Sequence, residues 1–229
     1  MSDQGNHNVE RNTVYSEIKI TGPQKTQEVA KLNEKIKDVE DCLNNGRYIA
    51  IKGDIWENTE NNAIRWKKEL DELTSQNNNP VVIAINSNGG DLYQVWGLVG
   101  ELREMLNKKP EIKIYTLGVK YCLSAGLEAL MIGAIIGEGI FVTPDTRMQF
   151  HGSTLHDNPK DEREREEIAR AREFMLYPTI GLISWRTGVD IEEIKTHAKT
   201  DKSYTTSEAL KLGIIDGIYD KPVPQHLTT

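Results

Sequence analysis

The chain has 229 residues, of which 38% are hydrophobic and 28% charged, which supplies a full α/β core and excludes a disulfide-stapled miniprotein. Its formal charge of -7 argues against nucleic acid or an anionic membrane as partner, because both select a basic face. Cys42 and Cys122 stand far apart with no Cys-x-x-Cys pattern, no apolar run reaches the ~18 residues of a membrane span, and the amino terminus lacks a signal-peptide pattern. The reading is a soluble cytoplasmic protein with no metal site and no cofactor motif.

Residues 1–24 are polar around one apolar patch at 14–20 and read as a flexible tail with a short strand, leaving 25–229 as a single α/β domain. Over 26–44, Val29, Leu32, Ile36, Val39 and Leu43 recur at threes and fours, which predicts an amphipathic helix stopped by Asn45-Gly46. Residues 48–51 read as a strand, and 59–76 as a helix through Ala63, Trp66, Leu70 and Leu73. The unbroken apolar run at 81–85 is what a parallel strand buried on both faces requires. Helix at 92–106, strand at 112–117 and helix at 123–136 follow, the last so apolar all round that it must be buried. Short strands at 140–142 and 148–150 precede a charged helix from about 159 to 176, with Ile168, Ala171, Phe174 and Met175 on one side. Separate helices are expected at 179–187 and 190–199 with Gly188 between them, then a short helix at 207–212 and a last strand at 214–219. Strands alternating with helices describe an α/β fold with mostly parallel pairing.

Two glycine-bearing strand ends hold the chemistry. In Asn86-Ser87-Asn88-Gly89-Gly90, backbone N–H groups can approach an oxyanion or phosphate with no Cβ in the way, although a plain tight turn reads the same. The second, Gly118-Val119-Lys120-Tyr121-Cys122-Leu123-Ser124-Ala125-Gly126, runs from a strand into a helix. A serine at that point has its Oγ beside free N–H groups at the positive end of the helix dipole, which suits a nucleophile and equally suits an N-cap. His151 ends a strand, where a side chain can face a cleft, whereas His156 and His197 stand among charged residues and read as solvated.

These segments, followed by Arg147-Met148-Gln149-Phe150-His151 and by Thr200-Asp201-Lys202-Ser203-Tyr204 with a later Gly213-Ile214-Ile215-Asp216, resemble in their order the proteolytic subunit of Clp proteases. The family patterns are Ile-Asn-Ser-Pro-Gly-Gly, Ala-Ala-Ser-Met-Gly, Arg-x-Met-Ile-His-Gln-Pro, and Asp-Arg-Phe before a Tyr-Gly-Leu-Ile-Asp. The similarity spans roughly residues 48–220. It implies the ClpP/crotonase-like fold of repeated ββα units, with the charged helix as a protruding handle by which two heptameric rings stack. It further implies a serine endopeptidase with Ser124 as nucleophile, His151 as general base and Asp201 as its orienting carboxylate. Gly89 and Ala125 match the oxyanion-hole donors, and Gly90 falls in the substrate-binding segment.

The implied substrates are polypeptides and the implied partner a second copy of the chain. An ATPase unfoldase is the family's other partner, but the strand around Ile83 has no tyrosine or phenylalanine and the one from Ile112 has Tyr115 alone, short of the aromatic set of its docking pocket. Asn88 stands in place of the family's proline, and the helix at 26–44 replaces a much shorter connection. Two other readings stay open. The segment Ser124-Ala125-Gly126-Leu127-Glu128-Ala129-Leu130 also resembles the Gly-Gly-Gly-Cys-Glu-Leu-Ala of enoyl-CoA hydratases, with Glu128 as acid or base, although their coenzyme A loop is not visible. A catalytically silent ring subunit is the third, against which stands the retention of all three triad residue types.

Overall fold

A computed structural model describes residues 23–151 and 160–229, with side chains described except at 23–26 and 171–176. The strand expected at 14–20, His156, and the side chains of Ala171, Phe174 and Met175 lie outside the described residues. In chain order the elements are α1 (Pro23–Asn44), β1 (Tyr48–Ile55), α2 (Ala63–Gln76), β2 (Val81–Gly90), α3 (Leu92–Lys108), β3 (Ile114–Leu123), α4 (Ala125–Ile135), β4 (Gly139–Val142) and β5 (Arg147–Gln149). They continue with α5 (Glu162–Thr187), α6 (Ile191–Lys199), β6 (Ser203–Tyr204), α7 (Thr206–Leu212), β7 (Gly217–Ile218) and α8 (Gln225–Thr228).

The sheet runs β1-β2-β3-β4-β7, every neighbouring pair parallel. Along β2, Val81, Ile83 and Ile85 enter one core with Trp66, Leu70, Leu98, Leu102 and Ile132. Val82 and Ala84 enter a second core with Val39 and Leu43 of α1, Tyr115 and Leu117. Both faces of β2 are therefore covered, which is why its apolar run is unbroken rather than alternating. The α1 helix is bound to its face by Asp38, whose carboxylate accepts from the Tyr115 hydroxyl at 2.7 Å and from Lys113 at 3.0 Å.

Strand β3 has two successive partners on one side. Its residues Tyr115–Gly118 pair with β4, and Tyr121–Leu123 pair with β5, also in parallel. Strand β6 then lies antiparallel on β5. The chain has thereby built a small second ledge at the carboxyl ends of the main strands, where the glycine-bearing turns lie.

Several boundaries differ from the sequence expectation. Strand β1 runs to Ile55 through a register irregularity between Lys52 and Asp54, and β2 and β3 run on to Gly90 and Leu123, because backbone pairing continues beyond the apolar residues. Helix α2 starts at Ala63, where Asn62 caps it by accepting the Arg65 N–H at 3.0 Å. The two helices expected on either side of Tyr177 are one helix, α5, with Pro178 inside it. An interior proline costs about 3 kcal/mol, and burial of Thr179, Ile180 and Ile183 immediately after it opposes that cost. The last strand is only Gly217–Ile218, since Ile214 and Ile215 are buried without pairing. The short α8 is additional: the Asn86 amide donates to the Leu227 carbonyl at 2.8 Å, and His226 stacks on Tyr48.

Candidate active site

Ser124 joins β3 to α4 with φ 55° and ψ -127°. Its side chain makes no capping hydrogen bond, so the N-cap reading falls. The conformation is one that non-glycine residues avoid, at a cost of order 1–3 kcal/mol, and such strain persists where neighbours over-determine it. Here the Ser124 N–H donates to the Gln149 carbonyl of β5 at 3.0 Å. The α4 helix that follows is buried almost throughout, from Ala125 to Gly133.

The two glycine turns touch each other. A Cβ on Gly89 would lie 2.6 Å from the Ser124 Cβ and 3.1 Å from the Ala125 nitrogen, and one on Gly126 would lie 2.8 Å from the Ser87 carbonyl. Only a glycine at 89 lets the β2 end close on the serine turn, bringing the Gly89 and Ala125 amides to one place. Gly90, at φ 135°, lies so close to β1 that a Cβ would come within 2.2 Å of the Ile55 carbonyl oxygen. Ser87 is buried beneath this turn: its hydroxyl donates to the Gly53 carbonyl at 2.6 Å and accepts the Gly89 N–H at 3.0 Å. The Gly89 amide thus has an internal partner in this structure.

His151 and Asp201 follow from the antiparallel ledge. Met148 pairs with Tyr204 and Gln149 with Ser203, and the Phe150 N–H donates to the Lys202 carbonyl at 3.2 Å. The residues next beyond that bond are half-buried His151 on one chain stretch and, on the other, Asp201, which is exposed and has φ 49°. On the other edge of β5, Leu123 pairs with Gln149, so Ser124 leaves β3 beside the same stretch. The backbone therefore gathers Ser124, His151, Asp201, Gly89, Gly90 and Ala125 at one rim of the sheet.

Glu128 lies elsewhere. One turn along α4, it is buried against Thr179 of α5 beside a cavity of about 10 Å³, lined also by Val95, Trp96, Val99, Met131, Pro178 and Leu182. The Thr179 side chain hydrogen-bonds to the carboxyl, yet Oε2 has no partner, and burial raises the carboxyl's pKa to about 8. His197 is not solvated as expected: its Nδ1 lies 2.8 Å from the Tyr204 hydroxyl, with the ring edge-on to that tyrosine. Among the described residues no group of three or more His, Cys, Asp or Glu could hold a metal ion.

Sequence reasoning missed two residues that tie the rim together, Ser87 and Gln149. Both stand inside motifs that were read for their other members. For Gln149 the available signal is its polarity between apolar neighbours, Met148 and Phe150, which have at most 1% exposure; Ser87, between Asn86 and Asn88, carries no such signal.

Residues 31–222 match a family model described as Clp protease. The chain is 25% identical over 195 residues to an ATP-dependent Clp protease proteolytic subunit 1 of Bacillus cereus, covering 85% of this chain and 95% of that one. Among solved structures it is similar to a ClpP1 point mutant from Listeria monocytogenes, with TM-score 0.58 and 25% identity, covering 86% of this chain and 98% of that one.

Proposed function

The chain belongs to the Clp protease family, and from that premise we propose that it hydrolyses peptide bonds through an acyl-enzyme on Ser124. A serine hydroxyl is too weak an acid to attack an amide unaided; His151 takes its proton as Oγ bonds to the scissile carbonyl, and Asp201 holds the imidazole in the required tautomer. His151 returns that proton to the leaving amine. Water then repeats the sequence in reverse roles, and the acyl group leaves as a carboxylate. The Ala125 and Gly89 amides face the developing oxyanion, the Gly89 N–H turning from the Ser87 hydroxyl to do so, and Gly90 offers backbone to an extended substrate.

The observation that carries this reading is the pairing of β5 with the end of β3 and with β6, the strands that Ser124, His151 and Asp201 adjoin in sequence. Glu128 supports it over acyl-CoA chemistry, because a carboxyl buried under Thr179 beside room for about one water is poorly placed to reach a thioester substrate. The presence of all three triad types likewise favours an active subunit over a silent one. Chamber assembly from copies of this chain would confine the activity to polypeptides that enter. No helix among the described residues is long and apolar enough to cross a membrane, and a cytoplasmic setting fits that.

A fluorophosphonate probe tests the chemistry. It should label wild-type protein at Ser124 and leave Ser124→Ala unlabelled; labelling at another residue, or none in any assembly state, would overturn the peptidase reading.

A further inference from the structure

Resting on the serine-peptidase reading, we propose that Gln149 is a positioning residue of the site: its side-chain amide holds the left-handed turn at Asp201 and so keeps that carboxylate directed at His151. Gln149 is the last residue of β5 and touches the turns on both flanks. Its carbonyl accepts the Ser124 N–H at 3.0 Å, and its Nε2 donates to the Asp201 carbonyl at 3.2 Å. No other element separates the two strained turns it joins: Leu123 is its register partner on one side and Ser203 on the other.

The Asp201 turn requires such a hold. Among the described residues Asp201 is one of three non-glycine residues with positive φ, at 49°, a conformation from which an L-residue relaxes unless its peptide groups are fixed. The peptide unit joining Asp201 to Lys202 is fixed at both ends. Its N–H, on Lys202, donates to the His197 carbonyl at 3.0 Å, and its carbonyl, on Asp201, accepts from Gln149. Fixing that plane fixes ψ at Asp201, and with φ it sets the direction of the Cα–Cβ bond that carries the carboxylate. Without the Gln149 donor the carbonyl end is freed, the plane can rotate, and the carboxylate swings with it.

Packing alone does not account for an amide at this position. Met148 and Phe150 on either side are buried, whereas Gln149 is only half-buried and faces the rim. A thioether of the same length would fill the space equally well and could donate nothing. The role is indirect, since Gln149 acts through Asp201, and its removal should therefore slow the chemistry without weakening substrate binding.

Rates of fluorophosphonate labelling at Ser124, and kcat and KM on a short fluorogenic peptide, test this in four proteins: wild type, Gln149→Met, Asp201→Asn, and the double variant. Gln149→Met should lower labelling rate and kcat about tenfold with KM within about twofold. In the Asp201→Asn background the same change should cost less than about twofold, because the carboxylate it positions is gone. Gln149→Glu, of equal length but with no donor at neutral pH, should lose as much as Gln149→Met. Wild-type rates in either variant, or an equal loss in both backgrounds, would overturn the positioning role while leaving the peptidase reading intact. A wild-type protein that is not labelled at Ser124 would instead remove the peptidase reading, and this proposal with it.

Discussion

Glu128 places an acid in a buried, uncharged lining with no counter-charge beside it. The cavity residues facing it, Val95, Trp96 and Val99 from α3, Met131 and Ile135 from α4, and Pro178, Thr179 and Leu182 from α5, are all uncharged. Burial therefore favours the protonated form and raises the pKa from 4.5 to about 8. Between those values the folded chain keeps a proton that the unfolded chain releases. Stability from this residue is thus greatest below the unfolded pKa, falls as pH rises toward 8, and levels off above it. Glu128→Gln should remove that slope: urea midpoints should coincide with wild type near pH 4, and the variant should be more stable by a few kcal/mol at about pH 8. Identical pH dependence in the two proteins would contradict the assignment. In the sequence Glu128 reads as a candidate acid or base by its resemblance to enoyl-CoA hydratases, with its burial out of view, and Ser124 as a nucleophile or an N-cap. Whether that serine was a cap could not be read from residue types, because the answer lies in the backbone: at φ 55° its side chain makes no cap bond.

Elements joined by side-chain-to-backbone bonds are where pattern reading was weakest. Between residues 26 and 150 the helix and strand cores follow their apolar periodicities closely, since burial of Trp66, Leu70, Ile83 and Leu102 decides them. Element ends instead depend on partners distant in sequence. Strand β1 outlasts its apolar run because β2 lies beside it, and α5 passes through Pro178 because the residues beyond that proline are buried. Arg47 shows the same dependence. Its guanidinium, on a residue 6% exposed, donates to the carbonyls of Pro80 at 3.1 Å, Leu73 at 2.9 Å and Asn79 at 2.8 Å. One side chain at the start of β1 thereby closes the end of α2 and the turn into β2. Arg47→Ala would leave those carbonyls short of donors and should cost about 2–4 kcal/mol in chemical denaturation. Arg47→Lys, with a single ammonium in place of a fork, should recover only part of it.

For the whole molecule, the proposed chamber predicts a particle many times the 25.9 kDa of one chain, which light scattering coupled to size exclusion reads directly. A monomer at all concentrations would exclude it. The α5 helix suits a contact element, because residues 162–170 are mostly exposed and carry ion pairs within the helix, Arg163–Glu167 and Arg170–Glu166, while its second half is anchored in the core by Ile180 and Ile183. The strained backbone is also unevenly distributed. Among the described residues the three non-glycine residues with positive φ are Lys120, Ser124 and Asp201; all stand toward the carboxyl-end ledge, and none stands in the buried middle of the sheet. The two ends of the same strands therefore have different lifetimes. In hydrogen–deuterium exchange, amides at 81–85 should exchange only when the whole chain unfolds, whereas those at 119–124 and 200–203 should exchange through local opening, orders of magnitude sooner. A covalent acyl group on Ser124 should then slow the rim selectively, so that the clock of the rim, read amide by amide, reports whether the site is occupied.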